Sequence, residues 1–268
     1  RTRTLHENSP STRSETHVFI YKKIPHYCID SVSPKHVYTA AEFKACAKKA
    51  IADITRHKKI PIIAGGTGVW IDSVVYDTTI PEIGADSKLR ATLEKKSANE
   101  LYAILVSADP ERAKCIDKHN PRRLIRAIEI AKAIGKISPL KKRRPYNALW
   151  IGLNPDTEML QKKIARRTRD IIVGVNHADG IIEEVRRLLD KNIAKKRLKE
   201  FGFEYTATLD YLRGELSRDQ LVQRIIAESM HYAKRQMTWF KRNPQTHWIH
   251  TKHQTFQLIH LFLKTRII

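Results

Sequence analysis

Cysteine is scarce in this chain of 268 residues, which holds three. Cys28, Cys46 and Cys115 are scattered, odd in number and without a C-x-x-C pair. That pattern suggests neither a disulfide framework nor a cysteine zinc site, and it fits a reducing cytoplasm. No apolar run approaches the ~18 residues of a membrane span, and we find no signal peptide and no internal repeat. Acidic residues are also short: 28 Asp and Glu face 50 Lys and Arg, a formal charge of +22. Solubility needs far less than this. The excess implies a polyanionic partner, and with no membrane segment in sight that partner is expected to be nucleic acid. The length allows a full core, in one large domain or two smaller ones.

Glycine is sparse as well, with ten in the chain, yet Gly65, Gly66 and Gly68 fall within K-I-P-I-I-A-G-G-T-G-V-W-I-D-S-V-V-Y at Lys59 to Tyr76. Ile60 to Ala64 is apolar and rich in β-branched residues and reads as a strand, and Val69 to Tyr76 can continue as a helix. Free N–H groups converge at such a turn and attract an anion, and glycine lets phosphate come close. Thr67 adds a hydroxyl at the same place. A turn that only packs strand against helix is the open alternative.

Elsewhere the pattern is that of an α/β unit followed by helices. Val18 to Tyr21 reads as a short strand and Thr39 to His57 as a helix with Phe43, Ala47, Ala50, Ile51 and Ile54 along one side. Strand, helix, strand and glycine turn in that order predict a parallel sheet. Arg1 to Thr16 is polar and is expected to be disordered. Beyond Pro81 the chain reads as helical and charged from Asp86 to Gly135. Its clearest element starts at Asn120-Pro121, a cap followed by proline, and stops at Gly135. Leu124, Ile128 and Ala131 can face a core there, with Arg122, Arg126, Glu129 and Lys132 opposite. Three arginines in five positions, Arg122, Arg123 and Arg126, favour phosphate contact.

Lys141 to Arg144 reads as a basic loop and Ala148 to Leu153 as a buried strand. Glu158 to Ile172 and Ile181 to Leu189 read as helices with a loop at Gly174 to Gly180 between them. The last long helix, Asp219 to Lys241, is capped by Ser217 and has a core stripe at Val222, Ile226, Ala233, Met237 and Phe240. Lys234, Arg235, Thr238, Lys241 and Arg242 project elsewhere, with Tyr232 and Trp239 among them. Cations interleaved with aromatics suit single-stranded nucleic acid, whose phosphates pair with the cations and whose bases stack on the rings.

I-P-H-Y-C-I-D at Ile24 to Asp30, the G-G-T-G turn, N-P-R-R-L-I-R-A-I-E at Asn120 to Glu129 and A-K-R-Q-M-T-W-F-K-R at Ala233 to Arg242 together resemble the bacterial tRNA dimethylallyltransferases. The likeness runs from about Ile24 to Ile249. It implies transfer of a dimethylallyl group from its diphosphate to N6 of the adenine 3′ to the anticodon. It also implies a P-loop NTPase-like parallel-sheet core (residues 17–82 and 146–250), a helical tRNA-binding insertion (83–145) and a tail (251–268). Magnesium would assist. The partners would be the anticodon stem-loop of tRNA and dimethylallyl diphosphate, with no membrane, and the protein would be a cytoplasmic monomer. The resemblance places Thr67 at the reacting centre, Arg167 on the diphosphate through the pattern I-x-x-R at Ile164 to Arg167, and Gly65, Gly66 and Gly68 around the same anion. The tRNA surface would comprise Arg90, Arg122, Arg123, Arg126, Gly202 with the loop Lys199 to Glu204, and Lys234, Arg235, Gln236, Thr238, Trp239 and Lys241. No protein metal ligand is implied among these.

Two departures stand out. Phe203 and Glu204 replace the G-Y-[RK] pattern usual after the loop glycine. The 23 residues before Ile24 hold neither G-x-x-x-x-G-K-[ST] nor any aspartate, whereas the family begins with both a phosphate loop and a general-base aspartate. Hence the expectation of a member lacking its N-terminal strand, phosphate loop and base, binding tRNA better than it catalyses. A catalytically silent tRNA-binding relative is the alternative, and a P-loop kinase or ATPase is a third, disfavoured by the missing Walker lysine.

Overall fold

The computed structural model describes residues 18–78, 81, 83–84, 86–135, 143–174 and 180–265. Arg1 to Thr16, Lys141 and Lys142 of the basic loop, the interior of the Gly174 to Gly180 loop and the last three residues lie outside the described residues. The chain divides into two compact units. One takes in residues up to Thr39, Cys46–Gly68 and everything from Asn147 onward, and the other Ala40–Ala45 and Val69–Tyr146.

The first unit opens with a hairpin, β1 (Phe19–Tyr21) antiparallel to β2 (Ile24–His26). Lys22 and Lys23 form its two-residue turn at φ of 49° and 64°, the left-handed pair that follows the natural twist of the strands. The strand expected at Val18 to Tyr21 is therefore present, but it pairs with its own hairpin partner rather than entering a parallel sheet. Helix α1 (Ala40–Arg56) buries Ala47 and Ala50, two of the predicted stripe. The strand expected at Ile60 to Ala64 does not form, and Ile62 is 84% exposed. A β-branched run becomes a strand only where a neighbour takes up its N–H and C=O groups. Among the described residues no strand pairs with it.

Helix α2 (Gly68–Val75) leads into the second unit, which is helical throughout its described elements. α3 (Ser87–Leu93) is capped by Asp86, and α4 (Ala98–Ala108) opens with a capping box between Ser97 and Glu100. Asp109 caps α5 (Pro110–Cys115). In α6 (Pro121–Ile134) the side chain of Asn120 accepts from the N–H of Arg123, Pro121 takes the first turn, and Gly135 ends the helix at φ 77°. Leu93, Leu101, Leu105, Leu124 and Ile128 form this unit's core.

The chain then returns to the first unit through β3 (Trp150–Leu153), α7 (Thr157–Val173), α8 (Ile181–Asp190), α9 (Lys195–Phe201), α10 (Phe203–Leu212) and α11 (Arg218–Phe240). Ser217 opens α11 with a capping box to Gln220, which satisfies two N–H groups at the start of a long helix. β4 (Thr246–Ile249) pairs parallel with β3, Trp150 opposite Thr246 and Leu153 opposite Ile249, and α12 (Lys252–Lys264) follows. The expected strand at Ala148 to Leu153 is thus found, but not as a buried one: Leu153 is 74% exposed. Among the described residues the architecture is mixed α/β, mostly helical with two small sheets, and the parallel pairing there is that of β3 and β4. Ile172, Ile181, Val185, Leu198, Leu221 and Ile225 lead the core. The fully buried residues of α11 are Leu221 and Ile225, one position before the predicted Val222 and Ile226. Their helix meets α10 and α7 near its start, and so its buried face is fixed there by the neighbours.

Cys28 and Cys46 are joined by a disulfide across 18 residues, with Cα atoms 6.1 Å apart, which corrects the expectation of no disulfide. Their pairing depends on the loop after β2 meeting α1 in space, which spacing alone does not reveal. The hydroxyl of Tyr27 adds a second tether, donating to Asp53 Oδ2 at 2.8 Å. Closing a loop of this length restricts the unfolded chain by about 3 kcal/mol. Reduction should lower stability by about that amount, read as a shift of the urea midpoint with and without reductant; an unchanged midpoint would deny the bond a stabilising role.

Candidate active site

Helix α11 holds the glycine turn. Tyr232, Gln236 and Trp239 stand four and three residues apart, so they share one face of the helix. The side-chain amide of Gln236 lies where a Cβ on Gly66 would be, and the indole of Trp239 where a Cβ on Gly68 would be. Between those two glycines, Thr67 Oγ1 is 3.3 Å from the hydroxyl of Tyr232. Glycine at 66 and 68 therefore has a concrete reason, the close approach of side chains from α11. Gly65 has open space beside it. The turn carries an exposed threonine hydroxyl, and Gly68 supplies the first residue of α2.

The rings on this face are engaged within the protein. Tyr232 lies 6.4 Å from Phe203, centroid to centroid, and the Arg235 guanidinium sits 5.5 Å from its centre. Arg242 stands 5.6 Å from the centre of the Trp239 ring. Tyr232, Gln236 and Trp239 are half-buried, whereas Lys234, Arg235, Thr238 and Lys241 are exposed. Alternation of this kind gives the helix two functions on two faces, one gripping the turn and the other presenting cations. Gly202 joins α9 to α10 at φ 148°, a conformation that suits glycine.

Arg167 is exposed on α7 beside the buried Thr168. With Ile164, Thr168 and Ile171 of its own helix it lines a crevice completed by Glu204, Ile225 and Ser229. That crevice holds about 10 Å³, room for one water at most. An anion would have to meet the guanidinium on its open side. Ser229 is one turn before Tyr232, and Phe203, which touches Tyr232, adjoins Glu204. Thr67 and Arg167 are therefore linked by adjoining residues of one unit, through Tyr232, Phe203 and Glu204.

Arg90, Arg122, Arg123 and Arg126 belong to the second unit. Two of them are committed internally. Arg90 donates to both oxygens of Glu129, from Nε at 2.7 Å and Nη2 at 2.9 Å. Arg126 donates to Glu129 Oε2 at 3.2 Å and to the carbonyl of Ile83 at 2.7 Å. Glu129 is only 2% exposed, a correction to the solvated position expected for it. Helical spacing placed it opposite Leu124 and Ile128, but the two guanidinium groups compensate the burial of its charge. Burial alone would raise its pKa; the hydrogen bonds and charges of Arg90 and Arg126 outweigh that and hold the carboxyl below its ordinary value. Arg122 and Arg123 remain exposed at the start of α6.

Sequence reasoning did not single out the Tyr232–Thr67 contact or the Glu129 clamp. The spacing of Tyr232, Gln236 and Trp239 was the available signal for the first, and the ring chemistry of Tyr232 and Trp239 had pointed to bases instead. Among the described residues no three His, Cys, Asp or Glu side chains gather as a metal-binding group.

A profile of the IPP transferase family matches residues 13–243. The tRNA dimethylallyltransferase of Bacillus velezensis is 36% identical over 235 residues, covering 84% of this chain and 73% of that protein. The tRNA dimethylallyltransferase of Bacillus subtilis is 34% identical over the same shares. The crystal structure of the full-length tRNA isopentenylpyrophosphate transferase from Bacillus halodurans superposes with a TM-score of 0.61 at 28% identity, covering 90% of this chain and 78% of that one.

The Glu129 clamp makes a pH prediction. A carboxyl held below its unfolded value stabilises the fold above that value, about 4.3 for glutamate, and the contribution is lost as pH falls through the lower folded value. The stability gap between wild type and Glu129→Gln should therefore be widest near neutrality and shrink below about pH 4. Urea unfolding at a series of pH values reads this directly, and a gap independent of pH would contradict the clamp.

Proposed function

The chain belongs to the IPP transferase family, and on that premise we propose that it transfers a dimethylallyl group from dimethylallyl diphosphate to the exocyclic N6 of the adenine 3′ to the anticodon of tRNA. The observation that carries this reading is the Thr67 hydroxyl, presented on a glycine turn that α11 holds through Tyr232, Gln236 and Trp239. In the reaction the amine nitrogen forms a bond to the allylic carbon while the carbon–oxygen bond to diphosphate breaks, and the nitrogen gives up a proton, which the departing diphosphate can accept. The main physical demands are orientation of a weak nucleophile and neutralisation of the departing charge.

Thr67 meets the reacting centre with a hydroxyl that can point at the leaving oxygen. Arg167 presents an exposed guanidinium that pairs with the diphosphate on its open side. The glycine turn at Gly65, Gly66 and Gly68 offers backbone N–H groups to the same anion. Magnesium is expected with the diphosphate, and Arg167 supplies positive charge from the chain itself. The β3–β4 pair would be part of a P-loop-like sheet.

In the first unit the exposed cations Lys234, Arg235 and Lys241 of α11 have the charge and the exposure to meet phosphates of the anticodon stem-loop, and in the second unit Arg122 and Arg123 of α6 have the same. Arg90 and Arg126, with donors committed to Glu129, would shape that surface more than bind on it. The adenine must leave the loop stack to be reached, at a cost of a few kcal/mol that is smaller for an unpaired base. No helix of the described residues is long and apolar enough to cross a membrane. A monomer acting on tRNA fits this picture, whereas the Cys28–Cys46 disulfide departs from what a reducing cytoplasm favours. The silent-relative alternative gains no support from relatives that bear the names of enzymes.

Replacement of Thr67 by Ala should lower prenyl transfer at least tenfold while tRNA affinity changes less than twofold, measured with radiolabelled dimethylallyl diphosphate and unmodified tRNA. Equal losses in both would remove Thr67 from the reacting centre. For the tRNA surface, Arg122→Ala or Arg123→Ala should flatten the slope of log affinity against log salt by about one. Arg126→Ala should chiefly lower stability, and a slope unchanged in the first two variants would return those arginines to a solvated face.

A further inference from the structure

Tyr232 is held more firmly than a surface aromatic needs to be. Its ring is bounded by Phe203, 6.4 Å away, and by the Arg235 guanidinium, 5.5 Å from the ring centre. Its backbone sits well inside the 23-residue helix α11, where the hydrogen-bond ladder is complete on both sides. Its hydroxyl reaches across 165 residues of sequence to Thr67 Oγ1 at 3.3 Å. The two residues that follow on the same face, Gln236 and Trp239, cover Gly66 and Gly68. The turn thus has little freedom to carry Thr67 away from the phenol.

We propose that Tyr232 is a positioning residue for the transfer reaction, whose hydroxyl orients the Thr67 hydroxyl towards the reacting centre. The proposal rests on the placement of Thr67 at that centre. A threonine hydroxyl has one proton and two acceptor lone pairs, and its proton rotates freely unless a neighbour fixes it. A phenol is a stronger acid than an alkanol, so in this pair Tyr232 is the better donor and Thr67 the acceptor. Once a Thr67 lone pair accepts from Tyr232, the threonine proton must point elsewhere. The directions that remain lie away from the Tyr232 hydroxyl, and Thr67 is exposed. Thr67 then enters the reaction as a donor already aimed, able to bond the oxygen on which charge grows as the carbon–oxygen bond breaks. Without the phenol the same hydroxyl spends its proton in any direction, including back to protein acceptors.

Phe203 and Arg235 keep the phenol in place through its ring, which gives them a role independent of any base. An aromatic ring at position 203 serves this contact. The Phe203 ring packs on that of Tyr232, and a hydroxyl there is not needed for the contact.

The test is a double-mutant cycle on the full chain, with prenyl transfer from radiolabelled dimethylallyl diphosphate to unmodified tRNA as the readout and tRNA binding measured in parallel. Tyr232→Phe keeps the ring between Phe203 and Arg235 and removes only the hydroxyl. We expect kcat to fall about tenfold, with KM for both substrates and tRNA affinity unchanged within twofold. In the Thr67→Ala background the same substitution should cost no more than a further factor of two, because Tyr232 acts through Thr67. A Tyr232→Phe variant with wild-type kcat overturns the proposal, and so does a loss that multiplies fully with that of Thr67→Ala. A loss confined to KM or tRNA affinity would make Tyr232 a binding residue and overturn it as well. If Thr67→Ala itself turns over normally, the placement of Thr67 fails and the proposal falls with it. If Thr67→Ala is slow and Tyr232→Phe is not, only the positioning role fails.

Discussion

The approach of α11 to the backbone of residues 66–68 constrains the first unit more than any other contact near its proposed site. A side chain larger than hydrogen at Gly66 would displace the Gln236 amide, and one at Gly68 would displace the Trp239 indole. The two cases differ physically. The amide is the end of a flexible chain and can swing aside, whereas the indole is bulky and also faces Arg242. Because the glycines admit the helix, a single face of α11 can grip the turn and still leave Lys234, Arg235, Thr238 and Lys241 exposed next to it. The capping box at Ser217 and the burial of Leu221 and Ile225 anchor the start of that helix, and its regular spacing carries the register two turns or more to Tyr232.

The basic residues divide into two kinds by the same argument of available donors. Arg90 and Arg126 surround a buried carboxylate, whose one negative charge offsets one of their two positive charges. Removing either partner of such a buried group costs more than the pair itself contributes, since it leaves a charge without compensation. Arg122, Arg123, Lys234, Arg235 and Lys241 face water, where their charge can be used for a polyanion. A formal charge of +22 gives the excess of cations over anions and says little about which cations are free to bind. Burial and partners settle that.

Much of the helical pattern was legible. The caps at Asn120 and Ser217, the proline at 121, the stop at Gly135 and the buried Leu124, Ile128 and Ala131 follow from local chemistry that a sequence displays. What failed was what depends on a partner distant in sequence. Ile60 to Ala64 has the composition of a strand but no pairing segment among the described residues, and Val18 to Tyr21 took a local hairpin partner in place of the distant parallel neighbour expected. The disulfide between Cys28 and Cys46 and the burial of Glu129 have the same origin, because each depends on which surfaces meet. At the site, sequence singled out Thr67, the glycines and the basic helix. It gave Tyr232 and Trp239 to stacking on bases, whereas their rings are packed within the protein around the turn. Spacing places residues on a face of a helix but does not identify what that face touches.

The account depends most on transfer chemistry at the turn held by α11. The most direct measurement offers the unmodified chain radiolabelled dimethylallyl diphosphate and two anticodon stem-loops, one with adenine 3′ to the anticodon and one with guanine there. The account predicts label in the adenine stem-loop alone, retained through nuclease digestion on a single modified nucleoside. No label in either stem-loop, despite binding of both, would contradict it.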